Sequence, residues 1–205
     1  MILIGRNLSP FVRRTAIAMK LMDLAFEQRP LSTADDAADV VKYNPVGRVP
    51  SLELDDGEVL IDSAAIIDYL NEIAPADRRL VPLAGAERRA VLRGVAIGLG
   101  ATEKAVQAVY EKNRRPADKV YQDWLDMLCG QVTGGLVALN DELEGKAWLV
   151  GDRITLADVT AVCAFGIAAA CLDKPAADPR FANLAGLAAR CNELPAFAET
   201  VYRPG

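Results

Sequence analysis

The chain contains no histidine. That excludes a His general base, a Ser-His-Asp triad and any His-ligated metal. Its four cysteines, Cys129, Cys163, Cys171 and Cys191, fit neither a zinc pattern nor C-x-x-C. They read as reduced thiols of a reducing compartment, packed as small hydrophobes, and no metal is expected. The remaining candidates for chemistry are hydroxyls and carboxylates at the starts of helical patterns. Ser9-Pro10 pairs a good N-cap with a good first helical residue. Asp62-Ser63 opens a second pattern, and Thr155 with Asp158 opens a third. Each reads locally as a cap, and a hydroxyl such as that of Ser9 is also a donor at the positive end of a helix dipole. Val49-Pro50 is locally a proline starting an edge strand.

These residues need elements to position them. The 205 residues suffice for one large domain or two small ones, with 52% apolar and 25% charged residues, a globular composition. A net charge of -5 and a pI of about 4.9 argue against nucleic acid as the main partner. The Met1–Ile4 run is too short for a signal peptide. The apolar stretch from Val159 to Leu172 is shorter than the roughly 20 residues of a membrane span. A soluble, cytoplasmic protein with no membrane partner is expected.

Texture divides the chain. Residues 1–75 alternate short apolar runs with helical patterns, 76–85 form a linker rich in proline and charge, and 86–205 read as helix almost throughout. The first part predicts a strand at Ile2–Ile4 and a helix from Ser9 to near Asp23. In that helix Val12, Ala16 and Met19 make the apolar stripe, with Arg13, Arg14 and Lys20 elsewhere. A strand at 26–31, a short helix at 35–43 and a hairpin around Asp55-Asp56-Gly57 follow. A helix from Ser63 then carries Ile66, Ile67, Leu70, Ile73 and Ala74 on one stripe. Crossovers and a hairpin together predict a four-stranded mixed sheet flanked by helices. Beyond the linker, long helices are predicted at 87–113 and 118–143. A buried central helix follows, which Thr155 and Asp158 cap and Ile154 and Val159 staple.

Four motifs, in order, carry a resemblance. They are Ser9-Pro10-Phe11-Val12-Arg13, Asn44-Pro45-Val46-Gly47-Arg48-Val49-Pro50, Asp62-Ser63-Ala64-Ala65-Ile66-Ile67, and Gly151-Asp152-Arg153-Ile154-Thr155-Leu156-Ala157-Asp158. Together they resemble the cytosolic glutathione S-transferases, in a bacterial variety with Ser at the first active-site position. The resemblance covers nearly the whole chain. It implies α/β plus all-α architecture: a thioredoxin-like N-terminal domain, an all-helical C-terminal domain and a homodimer. It also implies glutathione as cosubstrate, no other cofactor, and a small apolar electrophile as second substrate, in the setting of detoxification.

By this resemblance Ser9 is the catalytic residue, its hydroxyl donating to the glutathione thiolate. A free thiol of pKa about 8.5 is roughly 3% ionised at pH 7, so full ionisation gains only about 30-fold. A shift of two units costs about 2.7 kcal/mol, within reach of one charge-assisted hydrogen bond plus a helix dipole. Larger accelerations require proximity and orientation. The resemblance further implies a cis bond at Val49-Pro50, turning the Val49 backbone toward the cysteinyl part of the tripeptide as an added strand. Ser63 would bind the α-carboxylate of the γ-glutamyl group and Asp62 its ammonium. Arg48 stands at a polar position that touches the tripeptide, and Phe11 lines the groove or packs in the core. The electrophile would lie between Ser9 and the first two C-terminal helices, with Gln107, Tyr110, Arg114 and Trp124 as candidates.

Two other classes compete. A dithiol oxidoreductase of the same fold needs Cys where Ser9 and Val12 stand, which excludes dithiol exchange. A non-catalytic glutathione-transferase-like binding or regulatory protein remains the alternative.

Overall fold

The computed structural model describes residues 1–202. The first run, β1 (Ile2–Ile4), is one of the two interior strands of a four-stranded sheet of order β2-β1-β3-β4. Its Leu3 and Ile4 are fully buried, as a continuous apolar run in a sheet covered on both faces requires. It pairs in parallel with β2 (Glu27–Arg29), Ile2 opposite Glu27, and antiparallel with β3 (Ser51–Glu53), Leu3 opposite Leu52. β4 (Val59–Ile61) completes the hairpin expected around Gly57. The outer strand β2 is wholly exposed and polar, which blunts the edge against further pairing.

Between β1 and β2 runs α1 (Pro10–Leu21). Val12, Ala16 and Met19 are fully buried, as their spacing predicts. Arg14 differs from expectation: it is 1% exposed, its guanidinium turned inward to Ser63. The short α2 (Ala37–Tyr43) leads to β3, and α3 (Ser63–Ile73) follows β4. Ile66, Ile67 and Leu70 form its inner face, but Ile73 is 44% exposed. Asn71 takes the last inward position on that helix, leaving Ile73 beside the face.

The described residues separate into two compact units: Met1–Leu80 with 192–202, and Val81–Cys191. The C-terminal stretch thus leaves the helical unit, to which its helical texture had assigned it. Its α8 (Pro195–Ala198) packs on α1, Phe197 is fully buried, and Glu199 pairs with Lys20 at 2.6 Å.

The second unit is built on α4 (Gly85–Asn113), α5 (Gln122–Glu142) and α6 (Leu156–Ile167), followed by α7 (Ala182–Asn192). Every residue of α6 from Leu156 to Phe165 is buried, so it is the centre of the bundle. It stops at Ile167, short of the apolar stretch that continues to Leu172, where the chain tightens into a 3-10 turn at Ala168–Ala170. α5 begins four residues later than the sequence predicts. Buried Glu111 accepts the Tyr121 N–H at 3.0 Å, and Ala117–Lys119 form a separate 3-10 turn. α4 and α6 touch through glycine: a Cβ on Gly94 would lie 2.9 Å from the Ala157 Cβ, and one on Gly98 2.9 Å from the Thr160 Cγ2. Burial pushes the Cys191 thiol up to about 12, and burial with the hydrogen bond its thiol donates to Cys129 does the same for Cys171, so both stay neutral near pH 7.

Asp158 anchors the start of α6. It is fully buried, forms a capping box with Thr155, and accepts from the Leu149 N–H, the Thr155 N–H and the Thr155 hydroxyl, each at 2.8 Å. Burial pushes its carboxyl above the usual range, and these donors oppose that rise. Asp158→Ala strands the donors and should cost about 3 kcal/mol or more, a fall in Tm of roughly 10 °C for a chain of this size. Asp158→Asn keeps one acceptor oxygen and should lose about half as much. Thermal unfolding checks both; equal stability of all three proteins would contradict the assignment.

Candidate functional site

The site begins where β1 ends. Gly5 has φ 124°, and a Cβ there would stand 2.6 Å from the Val12 Cγ2 and 2.9 Å from the Val49 Cβ. Only a residue without a side chain lets β1 pass between α1 and the Val49 loop at this distance. Ser9 follows in extended conformation, caps α1, and accepts the Val12 N–H at 3.4 Å. Pro10 then fixes the first turn.

The opposite wall is the loop after α2. Buried Asn44 organises it: its side chain accepts the Val46 N–H at 2.9 Å and donates to the Arg48 carbonyl at 3.1 Å. This Asx turn, with Gly47 at φ 69°, aims Arg48 across at α1, its guanidinium carbon 5.9 Å from the centre of the Phe11 ring. The next peptide bond, Val49–Pro50, is cis.

The third wall is the start of α3. Asp62 is exposed and holds φ 68°, ψ 134°, a conformation that L residues rarely adopt. Its Oδ1 accepts the Ala64 N–H at 2.9 Å. Ser63 behind it is 2% exposed, and its Oγ accepts from the Arg14 Nη1 at 3.0 Å.

These walls enclose a groove of about 110 Å³. Phe11, Arg48, Val49, Pro50, Asp62 and Ser63 all line it. Ser9 does not; it is the N-cap of the helix that supplies Phe11, two residues earlier in the chain. Three further lining residues, Asn44, Val46 and Ile61, went unassigned by the sequence, although the Asn-Pro-x-Gly spacing already marks a turn. Arg14 was also missed. Nothing in a polar Arg13-Arg14 step signals a partner 49 residues away. A larger open depression of about 590 Å³ beside Arg6, Gln28 and Tyr202 offers less: its Arg6 is paired with Asp35 and its Glu199 with Lys20. Gln107, Tyr110, Arg114 and Trp124 are exposed residues of, or just beyond, α4 and α5 in the second unit, with Arg114 stacked 4.0 Å from the centre of the Tyr110 ring. Among the described residues no cluster of three or more His, Cys, Asp or Glu could hold a metal, and no helix is long and apolar enough to cross a membrane.

Known proteins resemble this chain in sequence and fold. Residues 3–78 match the glutathione S-transferase N-terminal domain and residues 122–195 the glutathione S-transferase C-terminal domain. Maleylacetoacetate isomerase of Pseudomonas aeruginosa is 35% identical over 202 residues, which span 90% of this chain and 88% of that protein. A glutathione S-transferase from Methylobacillus flagellatus, solved with GSH bound, is 30% identical with a TM-score of 0.89 over 97% of this chain and 98% of its own. One from Methylobacterium radiotolerans, in complex with glutathione sulfonate, is 29% identical with a TM-score of 0.90 over 100% of this chain and 95% of its own. The chain belongs to the glutathione S-transferase family, with its thioredoxin-like N-terminal sheet domain and helical C-terminal region.

The backbone at Asp62 yields a stability test. A non-glycine residue in such a conformation stores about 1–3 kcal/mol. Asp62→Ala loses the cap and keeps the strain, and should cost about 1–2 kcal/mol. Asp62→Gly loses a few tenths with the cap and relieves the strain, so its stability should equal or exceed the wild type by up to about 1 kcal/mol. Urea unfolding ranks them; an alanine variant more stable than the glycine one would refute the strain.

Proposed function

We propose that this protein is a glutathione-dependent transferase in which Ser9 stabilises the thiolate of bound glutathione for attack on a small apolar electrophile. The carrying observation is that Phe11, Arg48, Val49, Pro50, Asp62 and Ser63 line one and the same groove, in a fold shared with relatives solved with glutathione bound. Its volume of about 110 Å³ is well below the roughly 300–1,000 Å³ that encloses a drug-sized ligand. It therefore takes one end of the tripeptide and leaves the rest along the wall. The γ-glutamyl end suits it best. Asp62 carries the charge to meet an ammonium, while the Ser63 hydroxyl at the start of α3 meets a carboxylate. The Val49 backbone then pairs with the cysteinyl unit, Arg48 meets the tripeptide backbone, and the sulfur reaches the first turn of α1 beside Ser9. The working form is a homodimer in the cytoplasm.

The step needs no histidine. The thiol gives up its proton to water, the Ser9 O–H and the α1 dipole hold the anion, and sulfur forms the new bond to carbon as the bond from that carbon to its leaving group breaks and the leaving group departs with the electron pair. A second reading, isomerisation with glutathione regenerated, is favoured by the 35% identity to the Pseudomonas isomerase. Both begin with the thiolate. Free thiol consumed in step with substrate marks transfer, and constant thiol with changing substrate marks isomerisation.

Calorimetric titration should show saturable glutathione binding, weakened about tenfold or more in Asp62→Gly. No binding at millimolar glutathione would overturn the reading in favour of a non-catalytic role. In Ser9→Ala, turnover at pH 7 should fall by up to about 30-fold and converge on the wild type as pH rises past the free thiol pKa of about 8.5. Wild-type turnover at every pH would remove Ser9 from the mechanism.

A further inference from the structure

We propose that Arg14 is a positioning residue that makes the Ser63 subsite selective for an acceptor-only group, a carboxylate. This rests on the glutathione reading above and adds to it the device that sets the polarity of the subsite.

Arg14 and Ser63 are both buried and joined across 49 residues, α1 to α3, by a bond of 3.0 Å from Nη1 to Oγ. A serine hydroxyl has one proton to donate and two lone pairs to accept with. A guanidinium has donors only. The Arg14 N–H therefore occupies a lone pair of Ser63, and the Ser63 proton cannot be spent on Arg14. Ser63 lines the groove. Asp62 beside it accepts the Ala64 N–H at Oδ1 as the α3 cap, and its carboxylate, an acceptor only, faces the ammonium with its remaining oxygen. The Ser63 proton is thus held for whatever occupies the groove. A carboxylate oxygen accepts it, whereas a group presenting its own N–H or O–H has only the one lone pair that Arg14 leaves. Without Arg14 the hydroxyl is free to turn and accept instead, and the preference is lost.

The test sets two ligands against two variants. The ligands are glutathione and an analogue whose γ-glutamyl α-carboxylate is replaced by hydrogen. The variants are Arg14→Met and Arg14→Lys. The wild type should bind glutathione at least tenfold tighter than the analogue, the effect of one charge-assisted hydrogen bond. Arg14→Met should weaken glutathione about tenfold and leave the analogue unchanged, so the discrimination collapses. Arg14→Lys, also donor-only, should restore part of it. Equal weakening of both ligands would show a merely structural role and overturn the proposal. So would a wild type that binds both ligands equally, since the glutathione reading would survive and the selective subsite would not. A wild type that binds neither overturns the glutathione reading itself. If Arg14→Met fails to fold, the wild type still decides. Its Arg14 guanidinium NMR resonances should shift with glutathione and not with the analogue, and resonances unmoved by both would overturn the proposal.

Discussion

The close passage of the chain at Gly5 governs the first unit. Here β1 ends between Val12 of α1 and Val49 of the loop before β3, at distances that leave no room for a Cβ. This contact brings three separate stretches into register. Helix α1 starts where its cap faces the loop, the loop folds back through Asn44 so that Arg48 reaches the Phe11 ring, and β4 delivers the start of α3 to the same wall. Beneath them the Arg14–Ser63 bond ties α1 to α3 inside the core. The groove is therefore a consequence of how tightly sheet and helix pack. Its polar groups sit on element ends, which packing holds better than a free loop could.

The helical unit uses the same device of close approach. Gly94 and Gly98 let α4 lie against α6 at side-chain contact distance, and Gly135 brings α5 within 3.1 Å of the Ala101 Cβ position by the same measure. α6 is buried on all sides, so its first turn has no water to satisfy it. Asp158 supplies acceptors both to that turn and to the Leu149 segment before it. The start of α7 is served from a neighbouring helix: the Asn140 Oδ1 on α5 accepts the Asn183 and Leu184 N–H groups at 3.0 and 3.2 Å.

What the sequence revealed and what it hid divide along a physical line. The strand at Ile2–Ile4, the hairpin at Gly57, the Ser9-Pro10 cap and the Thr155–Asp158 box depend on neighbours a few residues away, and local chemistry named them. The grouping of the groove residues needed several motifs taken together, because each alone is only a cap or a turn. The inward turn of Arg14 stayed hidden, since its burial depends on Ser63, distant in the chain. So did the positive φ of Asp62, which no residue type announces. Ile73 was misplaced because helical spacing alone does not say which of two positions on the last turn, Asn71 or Ile73, faces the core. The late start of α5 followed from one tertiary hydrogen bond to Glu111.

The central claim is that the groove holds the γ-glutamyl end of glutathione and hands its sulfur to Ser9. A crystal structure of the protein with glutathione bound tests it most directly. The account predicts a γ-glutamyl carboxylate oxygen about 3 Å from the Ser63 Oγ and the sulfur within roughly 3.5 Å of the Ser9 Oγ. Tripeptide density outside the groove, or in the groove with the sulfur turned away from Ser9, would contradict it.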